Sequence, residues 1–300
     1  MIPVAYSENF VLPLPPGHRF PMDKYRELPR RLLGSGLIQS HWLFRNGLIS
    51  TDRAVRVHTP EYVHRLKNQS LTRQEVRKIG FPLSSALIKR EFMLAEATWQ
   101  CALKAFEYGA AFNIAGGTHH AFADRGEGFC LLNDIAVAAA NLRHEQRAER
   151  ILVVDLDVHQ GNGTAAIFAE TPEVFTFSMH GAKNYPLQKQ FSDLDVALPP
   201  DTDDTVYLSS LETHLPQIMA DFDPDFVFYL AGVDVLATDK LGKLKLTLEG
   251  CARRDAFVYD QVAHLPCVTV MGGGYSPELN TVVTAHMNTF AAGLRKFLAR

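Results

Sequence analysis

Apolar positions along this chain fall into two alternating patterns. From Ser84 or Ser85, either able to cap a helix, Ile88, Phe92, Ala95, Trp99, Leu103 and Phe106 recur every three or four residues. That spacing predicts a long amphipathic helix, which Gly109 closes. Past it, short runs rich in β-branched and aromatic residues take turns with helical stretches. AFNIAG (111–116), Ile151 to Asp155, VFTFSM (174–179), DFVFYLAG (225–232) and CVTVMGG (267–273) read as strands. Helices are predicted over 133–147 from an Asn133 cap and around 163–169. Others run from an Asp203 or Asp204 cap to about Asp221, over 248–263 from Thr247, and from Pro277 to about Leu298. Strands apolar at nearly every position are buried on both faces, as in parallel sheets. The expected fold is α/β, a parallel sheet with helices on both faces.

The first third is less regular. VLPLPPGHRFP is too rich in proline for a helix or central strand and must lie on a surface or frame an opening. His18 and Arg19 could line such an opening, although a solvated loop is the simpler account. Met22 to Leu33 is predicted as a helix, with Asp23 near its start, Gly34 and Gly36 closing it, and Pro29 early or at a kink. Arg53 to Val57 reads as a short strand ended by His58-Thr59-Pro60, before a helical turn through Tyr62 and Leu66. His58 and His64 read as structural. No linker rich in Gly, Ser or Pro divides the chain and no repeat recurs, so one domain is expected over residues 1–300.

Hydrophobic residues make up 47% of the 300, enough for a large core. Net charge is −3, and no Lys/Arg block suggests a nucleic-acid surface built on phosphate contacts. The mildly acidic balance would suit a cationic substrate without requiring one. Four scattered cysteines (Cys101, Cys130, Cys251, Cys267) form no CxxC pair, so neither a zinc ribbon nor a disulfide framework is expected. With no signal-like start and no long apolar run, the expectation is a cytoplasmic protein that does not bind membranes.

Ligands of parallel sheets bind beyond the carboxyl ends of the strands, and that is where the polar motifs of this chain fall. His119-His120 follows the strand at 111–116, Asp155-Leu-Asp157-Val-His159 ends the strand from 151, Asp234 follows 225–232, and Gly272-Gly273-Gly274-Tyr275 ends the chain's last strand. Alternate positions of an extended segment share a side, so Asp155, Asp157 and His159 point together. An acidic loop with a capping histidine would give the same three letters. With Asp234, however, Asp157 and His159 make a three-ligand set open to water and substrate. Such a set favours Zn²⁺ without excluding Fe²⁺. The tandem histidines are either a metal pair, a satisfied core pair or, beside a metal, an acid–base pair. Asp155 and Asn162 are suitable partners for them: an Asp holds its imidazole charged, whereas an Asn leaves the other nearer its free pKa. Tyr275 could donate to an oxyanion, although a tyrosine after three glycines is also an ordinary turn.

GGTHHAFADRGEGFCLLND (116–134), VDLDVHQGNGT (154–164), FSMH (177–180), AGVDVLATDKLG (231–242) and MGGGY (271–275) together resemble the histone deacetylase family, the zinc-dependent branch of the arginase–deacetylase superfamily. The resemblance covers nearly the whole chain in the family's order. It implies an eight-stranded parallel sheet and hydrolysis of N-acyl-lysine in proteins or peptides. It places zinc on Asp157, His159 and Asp234, makes His120 the general base and acid, and His119 the electrostatic imidazole. Asp155 and Asn162 become their partners, and Tyr275 the group that binds the acyl carbonyl. Phe129 matches one aromatic wall of the substrate tunnel, and Gly128 the carbonyl that takes the substrate amide N–H. Asp155 and Ser178 match side-chain ligands of a structural K⁺, completed by main-chain oxygens including those of Asp157, His159 and Met179. A second monovalent site would use main-chain oxygens near Phe168, Thr171 and Val174. Asn162 stands where familiar members carry Asp, and Gln160 where many carry His. With the GHRFPMDKY opening, these departures resemble the class IV branch and its bacterial relatives. Tyr185 is the candidate for the opposite tunnel wall. Leu241 occupies a gate where polyamine deacetylases carry Glu, which counts against acetylpolyamines. The rivals are a deacetylase of a small N-acetylated metabolite, a catalytically silent acyl-lysine-binding scaffold and, remotely, a two-metal ureohydrolase whose second ligand set is absent. Oligomeric state does not follow from the sequence.

Overall fold

A computed structural model describes residues 1–299. In chain order the elements are β1 (Val4–Ala5), α1 (Lys24–Gly34), β2 (Leu43–Phe44), α2 (Thr51–Ala54), α3 (Pro60–Lys67), α4 (Arg73–Ile79) and α5 (Ser85–Tyr108). Then come β3 (Ala110–Asn113), α6 (Asp134–His144), β4 (Ile151–Asp155), α7 (Asn162–Phe168), β5 (Val174–Gly181) and β6 (Leu194–Leu198). The chain finishes with α8 (Asp204–Phe222), β7 (Phe226–Leu230), α9 (Leu248–Val262), β8 (Cys267–Val270) and α10 (Leu279–Leu298). The strands form one eight-stranded sheet in the order β2-β1-β3-β8-β7-β4-β5-β6. Every pairing is parallel. All residues of β3, β4, β7 and β8 are buried, which is why those segments carry no polar alternation.

Helix boundaries follow local chemistry. Ser84 caps α5 by accepting from the Leu87 amide, and Gly109, at φ 78°, ends it in the left-handed region. Asn133, Asp203 and Thr247 likewise cap α6, α8 and α9 through side-chain oxygens. The strand expected over Arg53–Val57 is not formed. Ser50 accepts from the Arg53 amide and opens α2 there, and the chain turns to meet α3. Two valines spaced two apart do not outweigh a capping serine. Three strands at or next to the sheet's edges, β1, β2 and β6, lay outside the sequence expectation, and so did α4. No helix among the described residues is long and apolar enough to cross a membrane.

Candidate active site

Five neighbouring strands of the sheet, β3-β8-β7-β4-β5, carry the polar motifs on the loops beyond their carboxyl ends. The β3 loop is held by Asp134 at the start of α6, whose carboxylate accepts from the amides of Gly117 (3.2 Å) and Thr118 (2.8 Å). Gly117, at φ 77°, packs so close to Gly272 that a Cβ there would come within 2.8 Å of its backbone. That contact locks the β3 and β8 loops together.

Asp157, His159 and Asp234 are buried, and each offers one ligand atom within 4.8 Å of the others. Nδ1 of His159 lies 2.9 Å from Asp157 and 3.1 Å from Asp234. The remaining carboxylate oxygens accept from main-chain amides, Gly273 to Asp157 at 2.8 Å and Val158 to Asp234 at 2.9 Å. Burial and the charge of Asp157 raise the pKa of Asp234. Burial opposes the charge of Asp157 as well, but the His159 hydrogen bond and the charges of His119 and His159 hold its pKa well below normal. Burial disfavours the charged form of His159, yet hydrogen bonds to both carboxylates raise it to about 10. The cluster therefore draws positive charge to one point. One imidazole and two carboxylates held by backbone amides form a donor set that fits a divalent cation.

Beside the cluster the tandem imidazoles lie 4.1 Å apart, centroid to centroid. His119 Nδ1 meets Asp155 at 2.7 Å and His120 Nδ1 meets Asn162 at 2.6 Å. Burial pulls the His119 pKa down, but Asp155 overrides it and raises the value to about 8. His120 is pushed well below an ordinary imidazole, by burial first and then by the charges of His119 and His159. Expected near its free value, it is instead lowered, because the Asn162 hydrogen bond cannot offset burial and two neighbouring imidazoles. With Nδ1–H donated to Asn162, Nε2 of His120 carries the free lone pair.

Tyr275 donates its amide to Asp239 at 2.6 Å, and its hydroxyl has no hydrogen-bond partner among the described residues. Its ring centroid is 6.4 Å from that of His159. Gly128 and Phe129 lie on the other side, their amides donating to Lys78 (3.1 Å) and Ile79 (2.7 Å) at the end of α4. Phe129 sits at φ 69°, which those two bonds sustain. Its ring packs with Phe20, Phe81 and His18. The Gly128 carbonyl is within 3.4 Å of the Cys130 thiol. Tyr185 stands opposite, its ring perpendicular to His120 at 4.9 Å and its hydroxyl donating to Glu127 at 2.8 Å. Leu241 completes the mouth and accepts from Asn184 at 2.7 Å. Together these residues line an opening of about 290 Å³ that leads to His120 and His159.

Asp155 and Ser178 face each other in register on β4 and β5. Ser178 Oγ is 3.1 Å from His180 Nδ1, and Asp155 also accepts from the Asp157 amide. The carbonyls of Phe168 and Thr171 each accept a turn hydrogen bond, from Thr171 and Val174 at 2.9 Å.

Sequence reasoning ranked one feature second and passed over another. His18 is not a solvated loop residue: it bonds to the Gly80 carbonyl at 2.9 Å, stacks on Phe81 and carries Arg19 to the rim. Lys24 is buried and donates to the Gly272 carbonyl at 2.9 Å, its ammonium lying over the rings of Phe20, Tyr25 and Tyr275. Burial lowers its pKa to about 8, against the pull of Asp234, Asp157 and Asp239. The available signal was its register, since Lys24, Leu28 and Leu32 share the apolar side of α1.

An all-parallel α/β sheet with two imidazoles, a phenol and a three-ligand cluster at its carboxyl edge defines a hydrolase-type site. The histone deacetylase domain matches residues 18–290, and the chain belongs to the histone deacetylase family. It is 45% identical over 286 residues to an uncharacterized protein of Picosynechococcus sp., covering 95% of each chain. It is also 29% identical over 278 residues to histone deacetylase 2 of Arabidopsis thaliana, covering 89% of this chain and 72% of that one. An HDAC homologue solved in complex with SAHA superposes with a TM-score of 0.86 at 25% identity, over 98% of this chain and 84% of that one. Family membership supports deacetylase activity.

Proposed function

We propose that the whole chain is one catalytic unit that hydrolyses acyl-lysine side chains of proteins or peptides, with Asp157, His159 and Asp234 holding zinc or, alternatively, Fe²⁺. When bound there, such a cation supplies Lewis acidity, polarising a carbonyl oxygen and bringing the pKa of a water to roughly 7. The observation that carries this reading is the paired arrangement beside the cluster, His119 on Asp155 and His120 on Asn162.

Phe129 and Tyr185 flank the acyl-lysine stem and exclude water from it, and the Gly128 carbonyl accepts the substrate amide N–H. His120, neutral with Nε2 free, takes a proton from the attacking water as its oxygen bonds to the acyl carbon. The Tyr275 hydroxyl donates to the carbonyl oxygen as negative charge grows on it. His119, held charged by Asp155, adds a fixed positive field. When the C–N bond breaks, the imidazolium of His120 returns its proton to the amine, giving lysine and a carboxylate. Asp155 and Ser178, with the main-chain oxygens of Asp157, His159 and Met179, would hold K⁺ behind the site. The carbonyls near Phe168, Thr171 and Val174 would hold a second monovalent ion.

Hydrolysis of an acetyl-lysine peptide tests the reading. Tyr275→Phe should lower kcat by about 10²–10³-fold, as expected for loss of one oxyanion donor. His120→Ala should lower it by about 10²–10⁴-fold. Circular dichroism should be unchanged in both, and turnover should vanish on chelation and return with zinc. Wild-type rates in either variant would refute the assignment.

A further inference from the structure

The rim of the opening carries one sign of charge. Arg19, Arg77, Lys78, Lys183 and Lys243 all line it, all are exposed, and none has an ion-pair partner among the described residues. They come from separate segments, each fastened to a wall of the opening. Arg19 follows His18, which is bonded to Gly80, and its guanidinium lies 6.0 Å over the Phe129 ring. Arg77 and Lys78 end α4, where the main chain holds Gly128 and Phe129. Lys183 precedes Asn184, whose side chain is bonded to Leu241, and Lys243 lies two residues beyond that leucine.

Basic residues in the last turn of a helix also suit its dipole, which would account for Arg77 and Lys78 but not for three loop residues. Two carboxylates borne by the same loops are already engaged. Glu127 is held by Arg125 and Tyr185. Asp239 accepts from the amides of Leu241, Gly242 and Tyr275. In a chain whose net charge is −3, this is a local reversal of sign around an opening that leads to His120.

We infer that this rim selects acyl-lysines set among acidic residues, a specificity that rests on the deacylase reading above. An acidic flanking segment meets unpaired cations on every side, whereas a basic one is repelled before the acyl chain enters. The charges are exposed and act at a distance, so the preference appears in KM and is screened by salt.

Three acetyl-lysine peptides that differ only in four flanking positions, all Glu, all Gln or all Lys, test this. Wild-type kcat/KM should fall in the order Glu, Gln, Lys, with about tenfold or more between the extremes. The gap should lie in KM and close at about 0.5 M salt, where the Debye length is a few ångströms. Arg77→Glu combined with Lys183→Glu and Lys243→Glu should reverse the order. Fluorescence anisotropy of the same labelled peptides on Tyr275→Phe reads the rim without turnover. If no peptide is hydrolysed but the affinities keep this order, the deacylase reading fails and the rim stands. Equal affinities for the three peptides, a preference for the Lys peptide, or an order untouched by salt would overturn the rim.

Discussion

At Gly128 the backbone itself positions the His120 ring. Its φ of 53° and its position beside the His120 ring leave no room for a side chain, since a Cβ would come within 2.6 Å of His120 Cδ2. A methyl group added there must either push the imidazole off Asn162 or move the wall that Phe129 builds. Displacing a base by about 1 Å costs as much as 10²-fold in rate. Gly128→Ala should therefore lose turnover on that scale, while strain of about 1–2 kcal/mol leaves it folded. Steady-state kinetics beside thermal unfolding will separate the two effects, and an unaltered kcat would show that His120 tolerates displacement. Residues of this kind differ in how openly the sequence displays them. Asp157 and His159 stand out because they sit at alternate positions just past an apolar strand. Gly128 was placed through resemblance alone, because a glycine's contact partner is set by the fold. Lys24 stayed hidden because a lysine on a helix is ordinarily solvated, and only the packing of α1 against the Gly272 turn buries it.

Between elements, His58 joins the turn after α2 to the loop that bears His119 and His120. Its Nδ1 donates to the Phe122 carbonyl at 2.9 Å, and its Nε2 accepts from the amide of Asn133, the cap of α6, at 3.0 Å. The bond accepted at Nε2 requires a neutral ring, and burial lowers its pKa to about 4 despite the backbone acceptors around it. The folded form thus binds its proton less readily than the unfolded chain, whose histidines titrate near 6.5. Its contribution is complete above about pH 6.5 and is lost as pH falls toward 4, amounting to about 3 kcal/mol over that window. His58→Gln should be less stable at pH 7 yet show a shallower fall in urea midpoint between those pH values. Parallel curves for the two proteins would remove His58 from the account. The same turn shows why some elements escaped the sequence. A capping serine, Ser50, outweighed the pair of valines that suggested a strand. The strands β1 and β2 have two residues each, too few to carry a period. β6 is only partly buried, so its alternation is weak. The long buried strands and capped helices, whose patterns run for many residues, were readable throughout.

For the molecule as a whole, the same convergence that builds the site also opposes folding. Bringing Asp157 and Asp234 together at the carboxyl edge of the sheet buries two carboxylates side by side, and burial first, then the charge of Asp157, raises the pKa of Asp234. The unfolded chain has no such conflict and no assembled ligand set, so a divalent cation binds the folded form almost alone. Stabilisation then follows RT ln(1 + [L]/Kd), about 2.7 kcal/mol at a free concentration 100 times Kd. For a chain of this length that corresponds to a rise in Tm of about 4 °C. Scanning calorimetry of metal-stripped protein against protein with added zinc should show the rise. Asp234→Asn and Asp157→Asn should each abolish it, because either leaves the cation with one carboxylate. The gain should shrink as pH falls, since protons compete for the same three side chains. Equal Tm with and without the cation at neutral pH would mean that the three side chains meet for packing alone, and the hydrolytic reading would fall with them.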